Sequence, residues 1–278
     1  MFIKEEKDNI IINKAENFDI ALTLDCGQAF RWKQKENGVW HGVAYGKYLE
    51  IAQNGDKITL FNTSKSDFEN VWKNYFDLER NYSEIISSYT DESLKTACEM
   101  YPGIRILRQE PWEAVCSFII SANNNIPRIK GIVERLCENF GEKTGESFSF
   151  PSPEVVKKLT VEDLAPIRSG FRAKYIIDAA VKFSSGEVNA EKIKEMPFEE
   201  AKAKLLKIKG VGEKVAQCSL LYGFARTEAF PVDVWVKRIV SELYPNGLPE
   251  CIKGTEGIAQ QYLFHWRRNL ENEGGVKK

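Results

Sequence analysis

The run Leu205-Leu206-Lys207-Ile208-Lys209-Gly210-Val211-Gly212-Glu213-Lys214-Val215-Ala216 constrains this chain more than any other. An apolar helical stretch is broken by Gly-Val-Gly and resumed by Lys-Val-Ala, the pattern of two short helices joined by a hairpin whose glycines leave backbone N–H groups uncovered. Such a hairpin can grip a phosphate. The helix that starts there turns its partial positive end toward the same anion, and Lys202, Lys204, Lys207 and Lys209 add charge around it. Lys214 falls in the first turn of that helix, where the dipole disfavours an ammonium; in a desolvated site its amine becomes a candidate nucleophile. Nineteen positions after Lys214 comes Asp233, in Phe230-Pro231-Val232-Asp233-Val234. The proline fixes an extended approach. Val236, Ile239, Val240 and Leu243 then recur at helical spacing, so Asp233 is expected to be an N-cap. A plain turn with a solvated lysine explains the glycines alone, and an ordinary cap explains the aspartate alone. A carboxylate pointed at a lysine nucleophile explains both together.

Charge is informative only when divided. Over 278 residues the net charge is −1, but residues 1–100 carry 12 Lys+Arg against 17 Asp+Glu and residues 101–278 carry 27 against 23. The basic excess lies with the hairpin, which is compatible with a polyanion on that side. Six cysteines are scattered without a Cys-x-x-Cys pair, so neither a disulfide framework nor a zinc site is expected, and His41 and His265 are the only imidazoles. The first eight residues are too acidic and too short of apolar length for a signal or transit peptide, and no apolar run reaches membrane-spanning length. A soluble intracellular protein is expected, without membrane contact.

Between residues 18 and 62 short alternating runs are separated by turn signals at Glu36-Asn37-Gly38, Gly46-Lys47 and Gln53-Asn54-Gly55-Asp56, which predicts an antiparallel meander. After Ser64 the period becomes helical, with Phe68, Val71, Trp72, Tyr75 and Phe76 on one stripe. Further helices are expected at about 111–122, 127–140, 153–159, 172–184, 197–208, 213–224, 234–244 and 256–270. The fold class is therefore α+β: a small N-terminal antiparallel β-sheet domain over residues 1–100, with helices, packed on a mainly α-helical domain over residues 101–278.

Four further motifs stand in order along the chain: Cys26-Gly27-Gln28-Ala29-Phe30-Arg31-Trp32, Ser121-Ala122-Asn123-Asn124-Asn125-Ile126-Pro127-Arg128, Gly170-Phe171-Arg172-Ala173-Lys174-Tyr175 and Ala259-Gln260-Gln261-Tyr262-Leu263-Phe264. With the hairpin and its aspartate they resemble the helix-hairpin-helix DNA glycosylases and, within them, the 8-oxoguanine DNA glycosylases of eukaryotic type. The resemblance runs from about residue 19 to residue 268. It implies a monomeric base-excision repair enzyme, in the cytoplasm or nucleoid of a prokaryote or the nucleus otherwise, whose partner is double-stranded DNA containing 8-oxoguanine. No cofactor or metal is implied. The closely spaced cysteines with which endonuclease-III-like relatives hold an iron–sulfur cluster do not occur here.

The resemblance also distributes roles. Lys214 attacks the anomeric carbon of the flipped nucleotide, Asp233 stabilises positive charge on the sugar, and a Schiff base then permits β-elimination on the 3′ side. Phe264 and Cys218 sandwich the base, Gln260 reads its Watson–Crick edge and the Pro231 carbonyl receives other donors. Cys218 lies four residues after Lys214, which places both on one helix face. Gly27 matters because oxidation turns N7 of guanine from acceptor to donor; a backbone carbonyl can accept that hydrogen where no side chain holds the backbone away. Lys209, Gly210, Val211 and Gly212 form the phosphate anchor. Asn123 fills the gap left by the base, Phe171 wedges beside the partner, and Arg128 and Arg172 donate to the acceptor edge of cytosine, a chemistry suited to guanidinium. Two positions depart from the family: Phe171 stands where tyrosine is usual, and Trp235 replaces a histidine near a phosphate, so that contact can no longer carry charge. Two rivals remain. A same-fold glycosylase for alkylated bases would lack Lys214, and a non-catalytic helix-hairpin-helix DNA-binding protein would not need Asp233, Gln260 and Phe264 together.

Overall fold

The computed structural model describes residues 2–273; Met1 and residues 274–278, which the expected domain bounds include, lie outside them. Six strands, β1 (Phe2–Glu6), β2 (Asn9–Asn13), β3 (Lys33–Gln34), β4 (Trp40–Ala44), β5 (Lys47–Asn54) and β6 (Lys57–Phe61), form one antiparallel sheet in the order β1-β2-β6-β5-β4-β3. The predicted meander is present, but the sheet starts earlier. β1 is exposed along its whole length, whereas Ile10, Ile11 and Ile12 of β2 are all buried. Neither strand alternates, so a search for period two passes over both. Residues Ile20–Asp25, within the span expected to be strand-like, are a helix instead, capped by Asp19 whose carboxylate accepts from the Leu22 N–H at 2.8 Å. The local cap overrides the β-like composition.

Ile10, Ile12, Leu49, Ile51, Ile58 and Leu60 of the sheet pack with Trp32, Phe68, Trp72, Tyr75 and Phe76 in one hydrophobic core. The stripe expected after Ser64 supplies the last four, through a helical run with a π-turn at Phe68–Trp72. A second, larger core gathers the rest, including Tyr82, Leu94, Ala97 and Cys98 from the helices Tyr82–Ser88 and Glu92–Met100. Residues 101–110 form no regular element and are largely buried, with Leu107 in the first core and Ile104 and Ile106 in the second.

The predicted helices after residue 110 are present as Pro111–Ser121, Ile126–Phe140, Pro153–Val156, Ala173–Ser184, Phe198–Leu206, Glu213–Gly223, Val234–Leu243 and Glu256–Glu273. A further helix, Ala190–Glu195, is too short to show a period and buries only Ile193. The helix Pro111–Ser121 is buried from Trp112 to Ser121. It lies so close to the helix Glu213–Gly223 that a Cβ on Gly223 would sit 2.8 Å from the Ala114 Cβ. This contact sets the relative depth of Lys214 and of Phe118 and Ser121 below it. Among the described residues no helix is long and apolar enough to cross a membrane.

Candidate active site

The hairpin is held by its own residues. Gly210 has φ +80°, and a Cβ there would lie 2.3 Å from Tyr175 Cδ2, so both the backbone angle and the Tyr175 ring demand glycine. The Asp178 carboxylate accepts from the Lys209 N–H at 2.8 Å and sets the approach, while Val211 is buried beneath the turn. Gly212 is the N-cap of the helix Glu213–Gly223, and no side chain caps that helix. Its first-turn N–H groups therefore have no side-chain acceptor, as an anion site requires. The Lys209 ammonium is largely exposed, 3.6 Å from Asp178, whereas Lys202 pairs with Glu199 and Glu213.

Lys214 points inward from this first turn. Its Nζ lies 3.5 Å from Ser121 Oγ and 5.9 Å from the centre of the Phe118 ring. Asp233 caps the helix Val234–Leu243 as expected, its Oδ1 accepting from the Val236 N–H at 2.8 Å. The two residues line one cavity of about 60 Å³ whose wall is completed by Cys26, Gly27, Phe118, Cys218, Tyr222, Pro231, Gln260, Gln261 and Phe264. They also border an adjoining open cleft of about 450 Å³ lined by Ser121, Asn124, Ile126, Trp235, Phe264 and Arg268 among others. Lys214 and Asp233 thus stand where an inner pocket meets an outer groove. Burial pushes the Cys218 thiol up to about 11, with Lys214 pulling it down and Asp233 adding to the rise, so Cys218 is a neutral wall. Gln260 is buried, and its Oε1 has no hydrogen-bond partner. A buried amide left open is costly unless something arrives to fill it.

Gly27 reaches the pocket from the N-terminal part of the chain. Its φ of +89° favours glycine, and an added Cβ would enter the space between Ile126 Cδ1 and Phe264 Cε1, at 3.6 and 3.8 Å. The turn is anchored by Gln28, fully buried, whose Nε2 donates to the carbonyls of Thr23 (2.8 Å) and Arg105 (2.7 Å) and whose Oε1 accepts from the Leu107 N–H at 2.9 Å.

Asn123, Arg128, Phe171 and Arg172 lie outside both cavities and form a separate group. Asn123 is exposed with φ +51°, a conformation asparagine tolerates better than most residues. Phe171 is 60% exposed, with its ring 4.5 Å from the Arg172 guanidinium and 6.0 Å from Tyr175. Arg172 is only 3% exposed. Its Nη2 donates to the carbonyls of Ala122 (2.6 Å) and Asn123 (3.2 Å), while Nε is buried without a partner. Burial and the nearby Arg128 both lower its proton affinity. Arg128 is exposed, and the Arg238 guanidinium lies 5.3 Å from the Trp235 ring.

Known proteins resemble this arrangement closely. Residues 10–115 match the family model of the 8-oxoguanine DNA glycosylase N-terminal domain, and residues 116–250 that of the HhH-GPD superfamily base excision DNA repair proteins. An N-glycosylase/DNA lyase of Saccharomyces cerevisiae is 33% identical over 265 residues, a match covering 84% of this chain and 70% of the yeast protein. Among solved structures, the Clostridium acetobutylicum 8-oxoguanine glycosylase/lyase bound to duplex DNA with cytosine opposite 8-oxoguanine superposes with a TM-score of 0.90 at 38% identity, covering 98% of this chain and 99% of that one. MBOgg1, in complex with a low-affinity DNA ligand, gives 0.91 at 41% identity over 97% and 99%. The chain belongs to the 8-oxoguanine DNA glycosylase/lyases of the HhH-GPD superfamily.

In this glycosylase/lyase several pocket residues lie beyond those picked from sequence. Phe118 and Ser121 contact Lys214, and Cys26, Tyr222 and Gln261 line the cavity. Tyr222 carried a signal: it follows Lys214 by eight positions and Cys218 by four, so helical spacing puts all three on one face. Phe118 and Ser121 carried none, because they face Lys214 only through the close packing of two helices. Among the described residues no group of three or more His, Cys, Asp or Glu is placed to hold a metal ion, and all six cysteines are free.

Proposed function

We infer that the protein flips 8-oxoguanine out of duplex DNA, excises it, and cleaves the strand as an AP lyase. The observation that carries this reading is that Lys214 and Asp233 share one small cavity with Gly27, Cys218, Pro231, Gln260 and Phe264. Lys214, once deprotonated, attacks C1′; the N–C1′ bond breaks and the base leaves with its electron pair. The cap uses Oδ1 of Asp233, so the second carboxylate oxygen remains to stabilise positive charge on the sugar as the bond breaks. Loss of the second amine proton and opening of the sugar give an iminium between Nζ and C1′. Removal of a C2′ proton then expels the 3′ phosphate by β-elimination, and hydrolysis of the imine releases Lys214.

The base is read on three sides. Gly27 offers a carbonyl to the N7 hydrogen that oxidation creates, the open Oε1 of Gln260 offers an acceptor to the Watson–Crick edge, and Pro231 offers its carbonyl. Phe264 and Cys218 cover the faces, and the neutral thiol avoids burying a charge against the base. Outside the pocket, Asn123 and Phe171 occupy the gap, and the exposed Arg128 addresses the orphaned cytosine. The hairpin 209–212 grips the backbone. Extrusion costs on the order of a few kcal/mol, which these contacts must offset.

Borohydride trapping tests this directly. A duplex carrying 8-oxoguanine opposite cytosine becomes covalently attached to the wild-type protein, and Lys214→Gln abolishes both trapping and excision while leaving duplex binding intact. Trapping retained in Lys214→Gln removes this lysine as the nucleophile.

A further inference from the structure

A carbonyl can discriminate a donor from an acceptor only if it is held in place, and Gly27 has no side chain to hold it. The peptide before it is tethered instead. Gln261 Nε2 donates to the Cys26 carbonyl at 3.2 Å, and the Tyr222 hydroxyl donates to Gln261 Oε1 at 2.5 Å. Both residues are buried and both face the base pocket. Tyr222 belongs to the helix that carries Lys214, and its ring is stacked on Phe118 at 5.3 Å with the planes 21° apart. A relay of two hydrogen bonds therefore runs from the nucleophile's helix, through the C-terminal helix, to the peptide entering Gly27. The residue that follows it is fixed as well: Gln109 Nε2 donates to the Gln28 carbonyl at 2.7 Å, and the Gln109 N–H donates to the Tyr222 carbonyl at 2.7 Å. Both sides of the glycine thus refer to Tyr222.

Packing alone does not explain this pair. An apolar pair of the same volume would fill the space without the cost of desolvating an amide and a phenol. What the polar pair adds is a fixed direction at the Cys26 carbonyl. We propose that Tyr222 and Gln261 are positioning residues that hold the Gly27 carbonyl where the N7 hydrogen of 8-oxoguanine arrives, and so set the discrimination between the lesion and bases whose N7 is an acceptor. The proposal rests on Gly27 being the group that reads N7.

The test uses Tyr222→Phe, which keeps the ring, and Gln261→Met, which keeps the volume. Three single-turnover rates are compared opposite cytosine, normalised to the fraction of protein trapped by borohydride on abasic DNA: excision of 8-oxoguanine, excision of 8-methoxyguanine, and cleavage of a preformed abasic site. 8-Methoxyguanine keeps an oxygen on C8 but presents N7 as an acceptor. The wild type should prefer 8-oxoguanine strongly. Each variant should lose roughly tenfold on 8-oxoguanine while the other two rates stay within about twofold. If all three rates fall together, the relay supports Lys214 and the proposal is overturned; it is equally overturned if the ratio of 8-oxoguanine to abasic rates does not move. If the wild type itself removes both bases alike, the assignment of Gly27 as the N7 reader fails, whatever the variants do.

Discussion

Arg172 Nη2 donates to the carbonyl of Ala122 at 2.6 Å, across fifty positions of sequence. This bond, with a second to Asn123 at 3.2 Å, ties the turn that presents Phe171 to the turn that presents Asn123. The two parts of the wedge are thereby set against each other by one buried guanidinium. Arg128, nearby but exposed, makes no such tie through its side chain in the free protein; its backbone N–H is used by the Asn125 cap.

The two arginines should accordingly separate on mutation. Arg128→Ala should reduce the preference for cytosine over adenine opposite the lesion by roughly 1–3 kcal/mol, the scale of bidentate base readout. Arg172→Ala should slow excision opposite all four bases by similar factors and lower stability by ~1–3 kcal/mol, because it leaves two carbonyls without their donor. Phe171→Ala should likewise slow all four alike. Single-turnover excision with each opposite base, beside thermal melts, measures both effects. A change of ranking with Arg172→Ala would make it a reader of cytosine as well as a strut.

The glycines of the hairpin should differ just as clearly. Gly210→Ala puts a methyl against the Tyr175 ring at φ +80°, whereas a Cβ at Gly212 meets nothing within 4 Å. The first should cost ~1–3 kcal/mol of stability and weaken duplex binding strongly. The second should cost about 1 kcal/mol or less, as alanine is a poorer cap than glycine. Equilibrium unfolding and duplex titration at two salt concentrations distinguish them.

What could be read from the chain was whatever is local or periodic. The cap at Asp233, the hairpin break and the shared face of Lys214 and Cys218 each follow from residues within a few positions of one another. Arg172 shows the opposite case. At a turn beginning a helix an arginine normally reaches solvent, and its burial depends on carbonyls at residues 122 and 123 that only the tertiary fold brings near. The hydrogen bond between Tyr222 and Gln261 is hidden for the same reason: helical spacing puts Tyr222 on the face of Lys214 and Cys218, but nothing in the sequence pairs it with a residue 39 positions later on another helix. β2 was obscured because a strand buried on both faces has no alternation to detect.

Glu113 makes stability depend on pH. Burial raises its carboxyl from the ordinary 4.5 to about 7, against the opposing pull of Arg31, whose Nη1 is 3.5 Å away. The folded protein therefore holds a proton that the unfolded chain has released, so this group's contribution is fully favourable below about 4.5 and falls as pH rises through about 7. The total effect is on the order of 3 kcal/mol. His41 and His265, both lowered by burial, act in the reverse sense, adding stability as pH rises toward 6.5. The comparison that isolates the glutamate is the difference between wild type and Glu113→Gln in urea unfolding, which should decline steadily from pH 5 to pH 7. A flat difference would mean that Glu113 is ionised in the fold throughout.

Asp233→Asn should separate the two duties of that residue. Asparagine caps a helix about as well as aspartate, so stability should change by no more than about 0.5 kcal/mol. It carries no charge, and base release should slow by on the order of a hundredfold or more, the scale of losing one preorganised electrostatic contact. Cleavage of a preformed abasic site should suffer less, because there the amine meets an aldehyde and no glycosidic bond has to break. Melting temperature, excision rate and abasic cleavage together decide the matter. Unfolding of the variant with unchanged excision in the surviving fraction would reduce Asp233 to a cap. Equal slowing of excision and abasic cleavage would instead place its role at the lysine rather than at the sugar.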